Sequence, residues 1–387
     1  MEVLAITYCR AMLGANRSMV AMIKDMRDRY SVSFTVLMPS VIDGDLEQVL
    51  ISENIPYIVA PMKMWVMPVS ASLKKFRSVS SVIKSVILNN SILKQIKGKR
   101  FDLIYTNNST VQYGALLSEK LNVPHVWHVR EFGRRDYDID FSYPEKKRIG
   151  YFRKASAVIA ISDAIKKYAE KELCPGAEIK RIYNGISLYK PLKQDFNKDK
   201  PIKIVYSGAL QPGKNQIELL MAASLLIGKG EKDFEVYLIG DGNEYKENLK
   251  AYVKDQGIEE HIHFMGYRDD ARELLDDMDL GIICSKSEGF GRVTCEYMES
   301  SLPVIGAAAG GTTEIIDDNE TGFLYTLGDS NALADKILYF INNRDALETM
   351  GRKAYEKVYR DFSLERNTDE MYKVFKDSLR EKNVKRY

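Results

Sequence analysis

The 387-residue chain has no long uncharged apolar run and few cysteines. No stretch approaches the roughly 20 apolar residues that a membrane-spanning helix needs, and the N-terminal MEVLAITYCRAML lacks the basic leader and apolar core of a signal peptide. The four cysteines, Cys9, Cys174, Cys284 and Cys295, form no CxxC pair, so neither a zinc site nor a disulfide framework is indicated. We therefore expect a protein that does not span a membrane and that resides in a reducing cytoplasm.

Acidic residues are missing from one long segment, Asn54 to Phe101, although the net charge of the whole chain is only +2. Residues 1–190 carry a net charge of +11 and residues 191–387 a net charge of −9. The cations of the acid-free segment are Lys63, Lys74, Lys75, Arg77, Lys84, Lys94, Lys97, Lys99 and Arg100.

Apolar residues alternate with the cations between residues 62 and 100, and this mixture has two interpretations. It can lie on an anionic membrane at the inner face of the cell, or it can form a solvated amphipathic helix beside an ordinary core. The membrane interpretation predicts that liposome cosedimentation weakens when Lys74, Lys75 and Arg77 become Glu. Nucleic acid is not an expected partner, because the basic half contains no base-reading motif or stacking platform.

Short β-branched runs alternate with helical patterns along the chain, as in βαβ units with parallel sheets. The polar segment DFNKDKP, from Asp195 to Pro201, is typical of a linker, and the same alternation restarts after it. The pattern predicts two doubly wound α/β domains, at residues 1–190 and 200–364. The charged helix expected at about 365–387 can dock back onto the first domain or form a solvated tail.

The most informative stretch is SKSEGFGRVTCEYMESSLPVIGAAAGGTTEI, from Ser285 to Ile315. A strand ending near Cys284 opens into a glycine-containing loop, and a helix begins near Gly291. Backbone N–H groups at such a helix start bind phosphate well. Glu288 and Glu296 suit sugar hydroxyls as acceptors, although either residue alone is equally consistent with a helix-dipole contact or a solvated face. A second glycine turn, AAAGGTTEI, follows one strand later, and two such turns in succession predict a nucleotide crevice.

This stretch resembles the donor site of the family 4 glycosyltransferases, which have the two-domain GT-B fold with a central cleft. Glu288 and Glu296 match the E-x7-E motif of that family, and the resemblance extends over nearly the whole chain. It implies that Glu296 holds the donor ribose, that Glu288 lies beside the transferred sugar and that Lys214 contacts the diphosphate. The implied catalytic residues are Glu288, His128 and Lys214. The implied donor site comprises Gly14, Ala15, Gly208, Lys214, Gly289, Phe290, Gly291, Arg292, Val293, Glu296, Gly310, Gly311 and Thr312.

In the first half, LGANRSM resembles the glycine loop of the family, and His128, at the end of the strand PHVWH, matches a histidine at the reaction centre. A histidine at a strand end also serves structural roles. Asn16, Arg130 and Glu131 are the expected acceptor contacts; ordinary surface ion pairing is the competing interpretation of Arg130 and Glu131. Asn184, in IYNGIS, is expected to have a conformational role.

One position departs from the family pattern. Many members carry an arginine where this chain has Ala209, so one cation expected beside the diphosphate is missing, and Arg292 is a candidate substitute. A surface location of Arg292, or of Lys214, is the alternative.

The resemblance implies retaining transfer of a hexose-type sugar from a UDP- or GDP-sugar to a glycan or polyprenyl-diphosphate-linked acceptor, in surface polysaccharide or glycoconjugate synthesis. No cofactor or essential metal is expected, since no DxD-like motif stands at a strand end. A sugar-nucleotide epimerase and a non-catalytic nucleotide-sugar-binding protein are the alternatives.

Overall fold

The computed structural model describes residues 1–40, 44–68, 74–133, 139–193, 196 and 200–384, but not the side chains of residues 74–79 and 381–384. The chain divides into two compact units, Met1–Ser187 with Leu364–Tyr387, and Leu188–Ser363. The side chains of Lys74, Lys75 and Arg77, most of the expected linker DFNKDKP and the last three residues lie outside the described residues.

The first unit is built around a parallel sheet with the strand order β3-β2-β1-β5-β6-β8-β9. A two-stranded antiparallel sheet pairs β4 with β7. The strands are β1 Glu2–Ile6, β2 Ser33–Pro39, β3 Tyr57–Ala60, β4 Val66–Pro68, β5 Leu103–Thr106, β6 His125–Val129, β7 Ile139–Phe141, β8 Ala157–Ala160 and β9 Ile179–Arg181. The helices are α1 Gly14–Tyr30, α2 Leu46–Ser52, α3 Lys74–Gln95, α4 Tyr113–Leu121, α5 Glu145–Lys154 and α6 Asp163–Tyr168.

Two central strands of this unit are buried along their whole length because both faces of a doubly wound parallel sheet are covered. Strand β5 reads LIYT and is buried at every position, as is β6, which reads HVWHV. The strand order reverses between β1 and β5, which are paired in parallel. The loops that follow these two strands therefore leave the sheet at a topological switch point, where α/β proteins commonly bind ligands.

The second unit has a parallel sheet with the order β12-β11-β10-β13-β14-β15. The strands are β10 Ile202–Ser207, β11 Phe234–Ile239, β12 Ile262–Gly266, β13 Leu280–Ile283, β14 Val304–Ala307 and β15 Gly322–Tyr325. The helices are α7 Gln216–Gly228, α8 Glu244–Gln256, α9 Ala271–Leu274, α10 Arg292–Glu299, α11 Thr312–Ile315, α12 Ser330–Asn342 and α13 Arg344–Asp361. The order reverses between β10 and β13, so the second switch point lies there.

Residues 188–190, predicted as the end of the first domain, and residues 191–193, left between the two predicted domains, belong to the second unit. The buried Glu299 carboxylate accepts hydrogen bonds from the backbone N–H groups of Tyr189, at 2.6 Å, and Lys190, at 3.2 Å. The Lys190 ammonium pairs with Asp276 at 2.5 Å. These contacts fix the segment to the second unit.

The last helix, α14 Leu364–Val384, belongs to the first unit and packs against α1. The Tyr372 ring stacks on Tyr30 with a centroid separation of 3.9 Å, and Tyr30 donates a hydrogen bond to Asp369 at 2.6 Å. Phe375 is fully buried beside Phe34. The described part of this helix is therefore a packed element of the first unit.

Candidate active site

The centre of the second unit's site is an ion pair between Lys214 and Glu288. The Lys214 Nζ atom lies 2.6 Å from Glu288 Oε1, and their side chains are 29% and 15% exposed. Lys214 is in the loop after β10 and Glu288 in the loop after β13, so the pair lies at the switch point of the sheet. The pair is partly shielded from water and open enough for a ligand to compete for the ammonium group.

Hydrogen bonds fix both loops that carry this pair. The Tyr206 hydroxyl donates to the Lys214 carbonyl at 2.8 Å, and the Lys286 N–H donates to the Gly213 carbonyl at 2.9 Å. The Tyr206 hydroxyl also lies 3.3 Å from Ser285 Oγ. Neither Tyr206 nor Ser285 is among the predicted site residues, although Tyr206 is in the strand that precedes the lysine loop. The backbone that carries Lys214 is thus held in place before any ligand binds.

The second glycine turn packs directly on the loop that carries Glu288. The Gly311 N–H donates to the Glu288 carbonyl at 2.7 Å, and a Cβ added to Gly311 would lie 2.6 Å from the Phe290 carbonyl oxygen. Gly310 has a φ of +57°, and a Cβ there would overlap the Glu288 backbone. Only glycine allows the two loops to approach this closely.

We expect Gly310→Ala to lower the free energy of unfolding by about 2–4 kcal/mol, because it combines a left-handed alanine with displacement of the Glu288 backbone. Gly328→Ala is the matched control, since Gly328 has a φ of +90° and open space around it. Gly328→Ala is expected to lower the free energy of unfolding by only about 1 kcal/mol. Urea unfolding of both variants measures the difference, and equal losses would contradict the close approach of the two loops.

Helix α10 begins immediately after Gly291, which has a φ of +106°, as the sequence predicts. Its first turn contains no acidic residue, so its N-terminal N–H groups keep their attraction for an anion. The Glu296 carboxylate lies 3.6 Å from the Arg292 guanidinium on the same helix. The predicted roles of Arg292 and Glu296 toward a donor stay predictions.

Two buried hydroxyls at the starts of α10 and α11 have no hydrogen-bond partner within the described residues, Thr294 Oγ1 and Thr312 Oγ1. Thr312 is a predicted site residue, whereas Thr294 is not. A buried unpaired hydroxyl costs free energy unless a ligand or water completes it. Helix α11 is a single turn, so its dipole contributes less than that of α10.

Four other predicted donor residues differ in the groups that they can present to a donor. The Phe290 ring is buried edge-on against Phe362, with centroids 5.5 Å apart, so a contact from Phe290 to a donor would come from its backbone. Val293 is half-buried in the first turn of α10, and Gly289 lies in the same loop as Glu288. Gly208 has a φ of +147° and is followed by the exposed Ala209, whose carbonyl accepts from Gln216 at 2.9 Å.

In the first unit, α1 begins at Gly14 and has no acidic residue in its first turn. Gly14 is exposed and Ala15 half-buried. Asn16 is fully buried: its Oδ1 accepts from the Thr7 hydroxyl at 2.6 Å, and its Nδ2 donates to the Ala11 carbonyl at 2.7 Å. The Asn16 side chain therefore supports the loop before α1, and its contact with an acceptor stays a prediction.

His128 lies inside β6 rather than at its end, because the strand continues to Val129. Burial and the nearby Arg130 charge hold the His128 pKa well below its usual value, so the ring is neutral. Its Nδ1 atom lies 2.8 Å from the Tyr105 hydroxyl and 3.3 Å from an Arg130 nitrogen. Arginine can only donate, so Nδ1 is the acceptor and Nε2 carries the proton. That buried Nε2–H group has no hydrogen-bond partner in the described residues and can donate to a ligand.

Arg130 and Glu131 are buried, so the interpretation of these residues as a surface ion pair is wrong. Arg130 donates to Asn107 Oδ1 at 2.9 Å and to Asn184 Oδ1 at 2.6 Å. Glu131 accepts from the backbone N–H and the hydroxyl of Ser109, at 2.8 and 2.5 Å. The first polar residues after β6 thus turn inward along the end of the neighbouring strand.

Asn107, directly after β5, bonds to two residues of the first unit that were predicted separately, Arg130 and Ala15. Asn107 itself is not among the predicted site residues. It accepts from Arg130 and donates through Nδ2 to the Ala15 carbonyl at 3.0 Å. The structure thereby brings the start of α1, with Gly14 and Ala15, together with the group of His128 and Arg130. The sequence contains a signal that could have identified Asn107: the polar residues NNS follow the strand LIYT directly, at the switch point of the sheet.

No group of three or more His, Cys, Asp or Glu side chains in the described parts of the chain is arranged to hold a metal ion. No helix among these residues is long and apolar enough to cross a bilayer. All four cysteines are buried free thiols.

Two family models match the chain, one to each half. The model described as "Glycosyltransferase Family 4" matches residues 14–190, and the one described as "Glycosyl transferases group 1" matches residues 190–357. A glycosyltransferase of Methanocaldococcus jannaschii is 30% identical over 316 residues, which are 79% of this chain and 83% of the relative.

Other relatives differ in coverage. The N-acetyl-alpha-D-glucosaminyl L-malate synthase of Bacillus anthracis is 29% identical over 59% of this chain, and the match spans 61% of that relative, less than two thirds of its length. The Escherichia coli UDP-Gal:alpha-D-GlcNAc-diphosphoundecaprenol alpha-1,3-galactosyltransferase is 23% identical over 77% of this chain and 81% of its own length.

Solved structures show the same fold. Anabaena HepE in complex with UDP-glucose has a TM-score of 0.76 at 23% identity, covering 97% of this chain and 99% of that protein. Sucrose-phosphate synthase from Thermosynechococcus elongatus has a TM-score of 0.74 at 18% identity, covering 97% of this chain and 98% of that protein. The predicted fold class, two parallel-sheet α/β domains of GT-B type, is confirmed by these likenesses.

Proposed function

Because the chain belongs to the group 1, or family 4, glycosyltransferases, we propose that it moves a hexose-type sugar from a UDP- or GDP-sugar to an acceptor. The proposed acceptor is a glycan or a polyprenyl-diphosphate-linked glycan, and the reaction retains the anomeric configuration. The relatives include enzymes of polysaccharide and glycoconjugate synthesis, which supports a similar place for this protein.

The observation that carries this proposal is the ion pair of Lys214 and Glu288 at the switch point of the second unit. A diphosphate is a stronger anionic partner for an ammonium group than one carboxylate, and the start of α10 adds N–H donors. Donor binding would draw Lys214 toward the diphosphate and leave Glu288 free to accept from sugar hydroxyls. These are the roles that the family resemblance implies for both residues.

The proposed reaction needs no protein nucleophile. The acceptor hydroxyl attacks the anomeric carbon from the face where the nucleoside diphosphate departs, the bond between that carbon and the diphosphate breaks, and the hydroxyl proton passes to the departing diphosphate. Lys214 and the N-terminus of α10 stabilise the charge that develops on the leaving group. His128, with its proton on Nε2, would donate a hydrogen bond to the substrate and would not act as a base.

Two further parts of the proposal concern the surroundings of the reaction. We propose that no metal ion is essential, since Lys214 and the start of α10 supply the positive potential beside the diphosphate. We also propose that the protein works in the cytoplasm, at the inner face of the cell membrane. Its four buried free thiols are compatible with a reducing compartment.

A donor screen tests the proposal. Release of UDP or GDP is measured from a panel of nucleotide sugars, with and without EDTA, alone and with free or lipid-linked glycan acceptors. We expect release to depend on an acceptor and to persist in EDTA. An epimerase would turn over the donor without an acceptor, a non-catalytic binding protein would release no nucleoside diphosphate, and either result would overturn the proposal.

Within this screen, Glu296→Ala is expected to weaken donor binding by about 10–100-fold, through loss of a charge-assisted hydrogen bond to the ribose. Isothermal titration with UDP measures this loss separately from turnover. The control is Glu348→Ala, because Glu348 is also paired with an arginine four residues away, at 3.2 Å, on α13. If Glu296→Ala leaves both UDP affinity and turnover intact, the assignment of the ribose site is wrong.

A further inference from the structure

Helix α3 has its polarity reversed over its described middle section. Its inward residues Ser81, Ser85 and Asn89 are buried, whereas Ile83 and Ile87 are 55% and 61% exposed. Val86, at 42%, extends the exposed apolar strip, since residues three and four apart are neighbours on a helix. A surface helix ordinarily buries its apolar side and exposes its polar side.

Hydrogen bonds hold the helix in this orientation. Ser81 Oγ lies 2.9 Å from Ser142 Oγ, and Ser142 also donates to the Trp65 carbonyl at 2.8 Å. Ser85 Oγ accepts from Gln112 Nε2 at 2.5 Å. Rotating the isoleucines inward would break these buried bonds and leave their partners unpaired, at a cost in free energy for each. The outward isoleucines are therefore a fixed property of the fold.

The charged residues of the segment that carries this face are all cations. The segment from Asn54 to Phe101 contains no acidic residue. Its exposed cations within the described side chains are Lys63, Lys84, Lys94, Lys97, Lys99 and Arg100. An apolar strip in a segment whose charged residues are all cations is complementary to a surface that is anionic outside and apolar beneath.

We propose that the outer face of α3, defined as Ile83, Lys84, Val86 and Ile87, binds an anionic lipid bilayer. The three apolar side chains enter the boundary between headgroups and acyl chains, and Lys84 lies against the lipid phosphates. A second copy of this chain fits the face less well, because pairing two such faces would oppose like charges. Three apolar side chains also supply little of the area that a stable dimer interface buries. This proposal does not depend on the donor or on the proposed reaction.

The test uses the full chain and vesicles of phosphatidylglycerol and phosphatidylcholine in equal parts, compared with vesicles of phosphatidylcholine alone. Cosedimentation of the unmodified protein is expected only with the anionic vesicles. The double variant Ile83→Ser/Ile87→Ser should bind them roughly a hundredfold more weakly, from about tenfold per isoleucine removed from the interface. The matched control is Ile51→Ser, because Ile51 is 59% exposed on α2, beside the acidic Glu47 and Glu53, and should bind as the unmodified protein does.

Lys84→Gln separates the charge contribution from the apolar one. This variant should bind the anionic vesicles about fivefold more weakly at low salt, and its binding should depend less on salt. If the double variant does not fold, Lys84→Gln alone tests whether the outer face of α3 binds the vesicles. Three results would overturn the proposal: equal binding to both vesicle types, a double variant that binds like Ile51→Ser, or a lipid-free molecular mass that the double variant lowers, which would assign the face to self-association.

Discussion

Replacing Lys214 by methionine is expected to lower kcat/KM for sugar transfer by about 10²–10³-fold, the typical cost of removing one preorganised group that stabilises a leaving oxyanion. Methionine keeps most of the apolar stem of lysine and removes the ammonium group. The tie between the Tyr206 hydroxyl and the Lys214 carbonyl is a backbone contact and survives the change. The measurement is nucleoside diphosphate release at varied donor concentration, with the donor identified by the screen.

Lys24→Met is the matched control, because Lys24 is paired with Glu53 at 2.6 Å, the same distance as in the pair of Lys214 and Glu288. Lys24 lies on α1 in the first unit, well past the first turn of that helix. Its loss should leave kcat/KM within about twofold, since exposed ion pairs contribute little. If both variants keep full activity, the diphosphate is neutralised elsewhere, and Arg292 becomes the group to replace next.

The parallel strands could be predicted from the sequence because strands that are buried on both faces of the sheet are short apolar runs, often rich in β-branched residues. Runs such as LIYT and FEVYLI correspond to β5 and β11. The same reasoning does not predict strands whose sequences lack such a run. Strand β15 reads GFLY and begins with a glycine at φ +150°, and β4 and β7 have three residues each, too few to show a period.

Single residues of the candidate site could be predicted from the sequence, but the pairs that they form could not. Glycine turns and a helix start leave local signals, so Gly291 could be assigned as the residue before α10. The pairing of Lys214 with Glu288 depends on the strand order β10-β13, which joins loops 74 residues apart. Local sequence does not specify such a neighbour.

The buried state of Arg130 and the reversed polarity of α3 were missed for a related reason. A charged residue after a strand is usually exposed, and Arg130 is buried because two asparagines on other segments, Asn107 and Asn184, accept hydrogen bonds from its guanidinium group. In α3 the partners Gln112 and Ser142 likewise come from distant positions. Polar partners supplied by tertiary structure decide which side of a segment faces inward.

Two buried histidines should make the protein sensitive to acid. Burial lowers the pKa of His125 to about 3, and His128 is held well below its usual value. The unfolded chain takes up a proton at each histidine near pH 6.5, whereas the folded chain does not, so the free energy of unfolding falls as the pH drops below about 6.5. Each histidine contributes a loss of about 1.4 kcal/mol per pH unit, so the pair removes roughly 5 kcal/mol between pH 6.5 and 4.5.

Urea unfolding of the unmodified protein and of His125→Gln at pH 8, 6.5 and 4.5 isolates this contribution from that of the carboxylates, which titrate in both proteins. Glutamine can keep the hydrogen bond that joins His125 Nε2 to Thr106 Oγ1 at 2.8 Å. At pH 8 both histidines are neutral in either state, so the difference there measures only the change in packing. Relative to that value, the variant should lose about 2–3 kcal/mol less on acidification to pH 4.5. An identical loss in the two proteins would mean that the folded state protonates His125 and that its ring is accessible to water, contrary to its burial beneath α4 and beside Trp127.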